Sequence, residues 1–316
     1  MQVILNVDIM NFDDYCESVF AESRPCWHLF TPGDLSGIIF REREDYVFGM
    51  NLVALCAGRF LGSVRLYTFQ IMSNHFHFVL SGEKFQVEEF YNELYRRLRK
   101  YLALKGRISD IKGIRMNVLP IEDLSYMRNV IAYVNRNGYL IDDDSTPFSY
   151  PWGANACFYR YESSTNHPVL LNKLTIRAKR KIFRTHLSQF PAHYYMEGGM
   201  VPPQCYVQIS VAESFYRNAH HYFNLISRRV ESFAQMAKEL GDKVTYTDDE
   251  LYTAVYSISA KKFETSPKIL TKHQKIEVAK ELHYSYNASN KQIKRVLRLD
   301  ESVVNELFPK GVSSSR

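Results

Sequence analysis

The stretch Met72-Ser73-Asn74-His75-Phe76-His77-Phe78-Val79-Leu80 decides how the fold of this chain is interpreted. Aromatic and β-branched residues fill its second half, as is typical of a β-strand. Because side chains alternate across a strand, we expect His75 and His77 to share one face, while Phe76 and Phe78 point into the core. Two imidazoles on one face can converge on one metal ion. With ten histidines in the chain, this spacing arises by chance on the order of 0.3 times, so a second motif is needed.

Strands and helices alternate on both sides of this stretch, between residues 25 and 140. The patterns predict strands at 26–31, 63–72, 75–82 and 114–119, the last closed by Pro120, and helices at 44–60, 85–104 and 122–139. The order β-α-β-β-α-β-α predicts an α+β fold. We expect a ferredoxin-like (RRM-like) antiparallel sheet with helices on one face and one added helix. A mainly helical C-terminal half should follow.

Composition narrows the class of protein. The chain has 316 residues, with 40 Lys plus Arg against 34 Asp plus Glu, a formal net charge of +6 that suits a polyanionic partner. Its N-terminus has no basic segment, and no apolar run approaches 18 residues, so we expect neither a signal peptide nor a membrane partner. Five scattered cysteines without a C-x-x-C pair favour the reducing cytoplasm.

The predicted third helix, EDLSYMRNVIAYVNRNGYL (residues 122–140), carries the second motif. Its apolar stripe should face the core and consists of Leu124, Met127, Ile131, Val134 and Gly138. Tyr133 and Asn137 fall on roughly the opposite side, four residues apart, so a phenol and a carboxamide should project side by side. Tyr126 lies on that side as well. The alternative is that Tyr133, one of 22 tyrosines, is a half-exposed residue of an ordinary helix.

The two motifs in this order resemble the REP-associated tyrosine transposases, which are single-tyrosine HUH endonucleases acting on single-stranded DNA. Asn-His-Phe-His matches the first element of their signature, and Tyr133 with Asn137 matches the second. The aromatic stretch YPWGANACFY (residues 150–159) is also similar. Gly138 stands where the family usually has Pro, and Gly153-Ala154 replaces a usual Ser pair. The resemblance covers roughly residues 25–160.

The resemblance implies a reaction and a set of site residues. Tyr133 would be the catalytic nucleophile that forms a 5′-phosphotyrosine, with Tyr126 in reserve. His75, His77 and Asn137 would hold Mg²⁺ or Mn²⁺. The partner would be single-stranded or hairpin DNA, cut and rejoined without ATP. The resemblance also allows a homodimer, with the active site built within one chain or with a helix exchanged between two.

Clusters of cations are candidate DNA-binding sites. The predicted second helix contributes Arg96, Arg97, Arg99 and Lys100, and the run at 173–184 contributes Lys179, Arg180, Lys181 and Arg184. Either run is also typical of a solvated helix face.

The C-terminal end predicts three short helices resembling a helix-turn-helix module, with Ser289 and Gln292 forming a capping box. Its expected core is Ile276, Ala279, Leu282, Ile293, Val296, Leu297, Val303 and Leu307. Its expected DNA-binding face is Lys291, Lys294, Arg295 and Arg298. The chain would then divide into an N-terminal extension (1–24), a catalytic domain (25–160), a basic helical region (161–265) and this module (266–316).

Two other functions compete with a transposase-type enzyme. A catalytically inactive protein could bind hairpin DNA or RNA through the same sheet and basic helices. A two-histidine phosphoesterase uses two strands that carry H-x-Ser/Thr, which His186-Leu187-Ser188 and His283-Tyr284-Ser285 match in letters. The second of these lies in a helical pattern, which argues against the phosphoesterase.

Overall fold

The computed structural model describes residues 11–32, 37–141, 148–160, 168–186, 189–227, 246, 248–286 and 288–309, with backbone alone at 138–141 and 249–250. The chain divides into two compact units, Met1–Arg228 and Arg229–Arg316. Within the described ranges, no helix combines the length and apolar character needed to cross a membrane.

A four-stranded antiparallel sheet forms the centre of the first unit. Its strands are β1 (Cys26–Phe30), β2 (Arg65–Ile71), β3 (Phe76–Ser81) and β4 (Asn117–Ile121), in the order β2-β3-β1-β4. This confirms the α+β prediction. The prediction that Pro120 closes the last strand was wrong, because Pro120 lies inside β4, opposite Trp27. Proline is tolerated there because β4 is an edge strand.

Helices cover both faces of this sheet. The helices α1 (Phe12–Ser23), α2 (Arg43–Arg59), α3 (Lys84–Leu104) and α4 (Leu124–Ile141) precede residue 142. Helix α3 packs on the face that carries Phe78, whose ring lies 5.7 Å from that of Phe90. Helix α4 packs on the other face, where Asn135 bonds Thr68. Helix α2 packs against α3, so the two helices that were predicted between the strands lie on one face, and the added helix α4 covers the other.

The aromatic stretch at 150–159 extends the sheet along the outer edge of β2. The Ile71 amide donates to the Trp152 carbonyl at 2.8 Å, and the Ala154 amide donates to the Phe69 carbonyl at 3.0 Å. A Cβ on Gly153 would lie 2.6 Å from the Phe69 carbonyl oxygen, closer than real Cβ contacts. Glycine is therefore required here by the close approach of two backbones.

The remaining elements of the first unit surround this core. They are the short strands β5 (Val169–Leu170) and β6 (Tyr195–Met196) and the helices α5 (Ile176–Phe183), α6 (Ile209–Ser214) and α7 (Ala219–Ile226). Helix α7 covers α4, since the Asn135 amide donates to the Tyr222 hydroxyl at 2.8 Å. The predicted N-terminal extension contains α1, whose Phe20 packs edge-on against Phe215. Residues 1–10 of that extension lie outside the described residues.

The second unit is a bundle of α8 (Asp248–Phe263), α9 (Lys272–Tyr286), α10 (Asn290–Leu297) and α11 (Glu301–Leu307). The predicted capping box of Ser289 and Gln292 is present. Val278 and Val304 are buried in the core, whereas the predicted Ile276 and Val303 are only half-buried. Helix α8 contributes Leu251 and Val255 to the same core, so the predicted boundary at 266 falls inside this unit.

Candidate functional site

Strand β3 and the turn before it place the two motif histidines side by side. His77 lies within β3 and is fully buried, whereas His75 lies just before the strand, where its carbonyl accepts from the Met72 amide at 2.8 Å. Their ring centroids are 5.0 Å apart, with the rings at 82°. The predicted pair is thus close together although only one member belongs to the strand.

Both ring nitrogens of His77 face a polar neighbour. Its Nε2 lies 3.5 Å from Nδ2 of Asn137, and its Nδ1 lies 3.1 Å from Nε2 of His28. Either histidine can donate in the His28–His77 contact, and a neutral His77 keeps one ring nitrogen as an acceptor. The two contacts hold the His77 ring in place between His28 and Asn137.

His75 is also contacted at Nδ1. Its Nδ1 lies 2.8 Å from Oδ1 of Asn74. A carboxamide oxygen can only accept, so Nδ1 of His75 carries the proton and Nε2 carries the lone pair. Asn74 and His28 thus occupy equivalent positions, because each contacts a motif histidine at Nδ1, as the outer partners of metal-binding histidines do.

Tyr133 and Asn137 come from one face of α4 and meet His77. The Tyr133 ring stands edge-on to His77, with centroids 5.7 Å apart and an angle of 87°. The expectation that Tyr133 lies on the less buried side was wrong, because it is 3% exposed. Helix α4 is enclosed on that side by the sheet and on another by α7. We call His75, His77, Tyr133 and Asn137 the tyrosine–histidine cluster.

The reserve nucleophile Tyr126 lies in the first turn of α4, where its amide is bonded by the Asp123 side chain. Seven residues separate it from Tyr133, a rise of about 10 Å along the helix. Tyr126 is therefore remote from His77, and the structure brings Tyr133 to the histidines instead.

His28 is the residue that sequence reasoning missed. It is fully buried, and its ring stacks on those of Phe30 and His77, with centroids 4.9 and 5.3 Å apart. The signal in the sequence was the polar residue inside the apolar strand Trp27-His28-Leu29-Phe30. The local pattern could not show that β1 lies beside β3 and so brings His28 close to His77.

The cluster can be tested for its fit to a divalent cation. Two imidazole lone pairs and a carboxamide form an N/O donor set of the kind that accepts Mn²⁺ or Mg²⁺ with open positions. A half turn of the Asn137 carboxamide would present its oxygen in place of Nδ2. No group of three or more His, Cys, Asp or Glu suited to a metal occurs among the described residues. The donor set therefore fits a weakly held ion and not a closed zinc site.

The predicted basic residues of α3 and α5 differ in accessibility. Arg96 and Arg97 both contact Glu93, at 2.5 and 2.6 Å, while Arg99 and Lys100 are exposed. Arg180, Lys181 and Arg184 are exposed as well. Lys179 is only 6% exposed, which disfavours the DNA contact predicted for it. It precedes the buried Phe183 by one helical turn, so its aliphatic stem lies on the packed face of α5.

The basic face of α10 is partly neutralised. Lys294 pairs with Glu301 at 2.8 Å, and Arg295 pairs with Asp248 at 2.6 Å. Lys291 and Arg298 are exposed, and within the described part of the second unit neither is paired with a carboxylate. Two of the four predicted phosphate contacts therefore have a competing partner in the protein.

The phosphoesterase motifs are not a pair of strands. His283 lies in α9, where its ring stacks on Phe308 at 4.1 Å, so this motif is helical and packed. Leu187 and Ser188 of the other motif lie outside the described residues.

No protein-family model matches the chain, and no curated protein or solved structure matches it. The case for any function therefore depends on the geometry of the tyrosine–histidine cluster and on the charged surfaces.

Proposed function

We propose that this protein is a metal-dependent enzyme of the HUH transposase type, which nicks single-stranded DNA and transfers the strand through a 5′-phosphotyrosine. The proposal rests on one observation. Two motif residues that are 60 positions apart in sequence lie close together, since Asn137 of α4 is 3.5 Å from His77 of β3. The histidine motif and the tyrosine motif, which were both selected from the sequence for strand cleavage, thus lie side by side, as that reaction requires.

The proposed reaction is a pair of transesterifications. The Tyr133 oxygen forms a bond to the scissile phosphorus as the bond to the 3′ oxygen breaks, and that oxygen leaves with a proton as a 3′-hydroxyl. A second 3′-hydroxyl then attacks the phosphotyrosine and releases Tyr133, so one phosphoester is made for each one lost. A Mg²⁺ or Mn²⁺ ion held by His75, His77 and Asn137 would neutralise charge on the non-bridging oxygens.

The scaffold supports the same proposal. The strand order β2-β3-β1-β4 with antiparallel neighbours is the order expected of a ferredoxin-like sheet. The cluster is built on a central strand and a packed helix, which hold side chains more rigidly than loops do. All five cysteines are buried free thiols, which is in keeping with the proposed cytoplasmic location.

Burial of the nucleophile sets a condition on this chemistry. With 3% of Tyr133 exposed, a phosphate can reach the phenol in line only after neighbouring side chains are displaced. We propose that binding of the strand provides this displacement, so that the free protein keeps Tyr133 packed against His77.

The decisive experiment uses Tyr133→Phe, which removes only the hydroxyl. A pool of single-stranded oligonucleotides with Mn²⁺ should give a covalent adduct on denaturing gels with the wild type and none with the variant. The label must be at the 3′ end, because a 5′-phosphotyrosine retains the 3′ fragment. Tyr126→Phe is the matched control and should keep the adduct. An adduct that persists in Tyr133→Phe, or that carries a 5′-end label, would contradict the assignment.

The second candidate is a catalytically inactive protein that binds hairpin DNA or RNA, and the burial of Tyr133 favours it. In that case the wild type would bind oligonucleotides without forming an adduct under any metal condition. Binding and adduct formation measured on the same samples separate the two functions.

A further inference from the structure

Helices α3 and α5 bring the two basic runs of the sequence to opposite sides of one groove. The groove has a volume of about 450 Å³, and the cations lining it are Arg96, Arg97, Lys100, Arg180 and Arg184. Its apolar lining includes Phe48, Tyr101 and Phe183, all nearly buried, together with the exposed Leu104. We call this the basic groove. Residues 80 or more positions apart in sequence thus build one concave, cationic surface.

The groove has a rigid floor. The rings of Phe48 and Tyr101 stack at 3.9 Å and 9°, and the Tyr101 hydroxyl donates to the buried Asp45 carboxylate at 2.8 Å. Asp45 also receives Lys105 and Arg107 at 2.8 and 2.7 Å. Lys105 and Arg107 therefore neutralise Asp45 below the floor. The cations on the rim are not required for that purpose.

Part of the rim charge is available to a ligand. Arg97 is held by Glu93 and is only 13% exposed, so it serves the protein's own structure. Arg184 lies 3.9 Å from Glu44, with both side chains more than half exposed, a contact of little strength in water. Within the described residues, Lys100 and Arg180 are exposed and not paired with a carboxylate. The rim therefore carries uncompensated positive charge.

A second concavity continues the surface across α3. It has a volume of about 430 Å³, shares Arg96 and Lys100 with the basic groove, and adds Tyr95 and Arg99. The half-buried Tyr95 ring is supported from behind by Tyr91, with centroids 5.9 Å apart and an angle of 18°. Cations therefore alternate with concave apolar surface over the width of α3, and a supported aromatic ring lies at one end.

We propose that the basic groove and its neighbour bind single-stranded DNA at a site separate from the tyrosine–histidine cluster. Phosphates would contact Lys100, Arg99 and Arg180, while bases would occupy the two concavities and stack on Tyr95. Helix α3 packs on the sheet face opposite to that of His77, so this strand segment cannot be the one that is cut. The inference extends the proposed function, but binding here needs no catalysis.

The test measures binding without cleavage, in Tyr133→Phe protein with EDTA. Lys100→Gln, Arg99→Gln and Arg180→Gln are combined and titrated with a fluorescent, unstructured strand of roughly 20 nucleotides over a range of salt. The log–log salt slope should fall by about 2, from about 0.7 for each of three lost contacts. The matched control, Lys268→Gln with Lys272→Gln and Lys280→Gln, removes the same charge from exposed positions of the second unit and should leave the slope nearly unchanged.

A further variant separates base stacking from charge. Tyr95→Leu should weaken binding of the strand roughly tenfold while leaving binding of heparin, which has charge but no bases, unchanged. If Tyr95→Leu weakened the binding of the strand and of heparin equally, the site would be a general polyanion-binding surface, and the proposed base contacts would be wrong. An unchanged salt slope in a triple variant with wild-type circular dichroism and melting temperature would overturn the whole site. Adduct formation by the otherwise unmodified enzyme is a separate measurement, so either proposal can fail without the other.

Discussion

Nε2 of His28 lies 3.1 Å from Nδ1 of His77, across neighbouring strands in the fully buried centre of the sheet. The contact occupies Nδ1 of His77 and leaves Nε2 facing Asn137. In metal sites, such a partner of a ligating histidine typically contributes 10- to 100-fold in metal affinity or activity. His28 is therefore a positioning residue in the proposed enzyme and does not itself touch the substrate.

His28→Leu should raise the Mn²⁺ concentration needed for half-maximal cleavage by roughly 10- to 100-fold, and His28→Gln, which restores an acceptor, should recover part of the loss. Phe30→Leu is the packing control, because it disturbs the same ring stack without touching the hydrogen bond. If both variants shift the melting temperature alike and neither changes the metal dependence, His28 is only a core residue.

Removal of the ion or of its ligands should have one common effect. EDTA, His75→Ala and His77→Ala should each abolish cleavage, since each takes away the charge that neutralises the scissile phosphate. His273→Ala, at an exposed position of the second unit, is the control and should cut at the wild-type rate with Mn²⁺. Undiminished cleavage in EDTA would exclude the metal role of both histidines.

The sequence predicted the parts of the site that depend on local spacing. His75, His77, Tyr133 and Asn137 were selected by their resemblance to the motifs of the HUH transposases, and the strand and helix periods predict that the members of each pair lie near each other. The burial of Tyr133 could not be predicted, because it depends on how α4 packs against the sheet, where the Tyr133 ring meets that of His77. The partnership of His28 with His77 likewise depends on strand order. The burial of Lys179 could have been predicted from the sequence, because Lys179 shares a helix face with the apolar Phe183.

The buried carboxylate of Asp45 predicts a pH-dependent stability. Burial alone would raise the pKa of Asp45, but bonds from Lys105, the Arg41 amide, Arg107 and Tyr101 outweigh it and hold that pKa well below its usual range. A depressed pKa means that the folded state binds fewer protons than the unfolded state. The stabilisation is therefore complete above the unfolded pKa of about 4 and is lost progressively as the pH falls below it.

Asp45→Asn should destabilise the first unit by roughly 3 kcal/mol at neutral pH, because it leaves Lys105 and Arg107 without their carboxylate. The difference from wild type should shrink by pH 3. Both tryptophans, Trp27 and Trp152, lie in the first unit, so their fluorescence during urea unfolding reports on that unit. Glu89→Gln, at an exposed position of α3, should change stability by less than about 0.5 kcal/mol. A pH-independent difference between Asp45→Asn and wild type would contradict the linkage.

The proposed DNA-binding role of the second unit is best tested by surface substitutions. Deleting residues 268–316 would expose Leu251, Val255 and Ile258 of α8, which share a core with the deleted helices, so a loss of binding could reflect unfolding. Lys291→Gln with Arg298→Asn removes two exposed charges instead. Arg298 has φ 51°, a left-handed conformation that asparagine tolerates better than most residues.

For a hairpin DNA target, this double variant should lower the log–log salt slope by about 0.9 for each of two lost duplex contacts. Lys294→Gln with Arg295→Gln is the matched comparison within the same helix, and it should have a smaller effect. Those two cations already pair with Glu301 and Asp248, so a phosphate must displace a carboxylate to bind them, and the exchange gains little. Equal effects of the two pairs would show that the ion pairs open freely on binding. An unchanged slope in both, with α-helical circular dichroism retained, would show that α10 does not contact DNA.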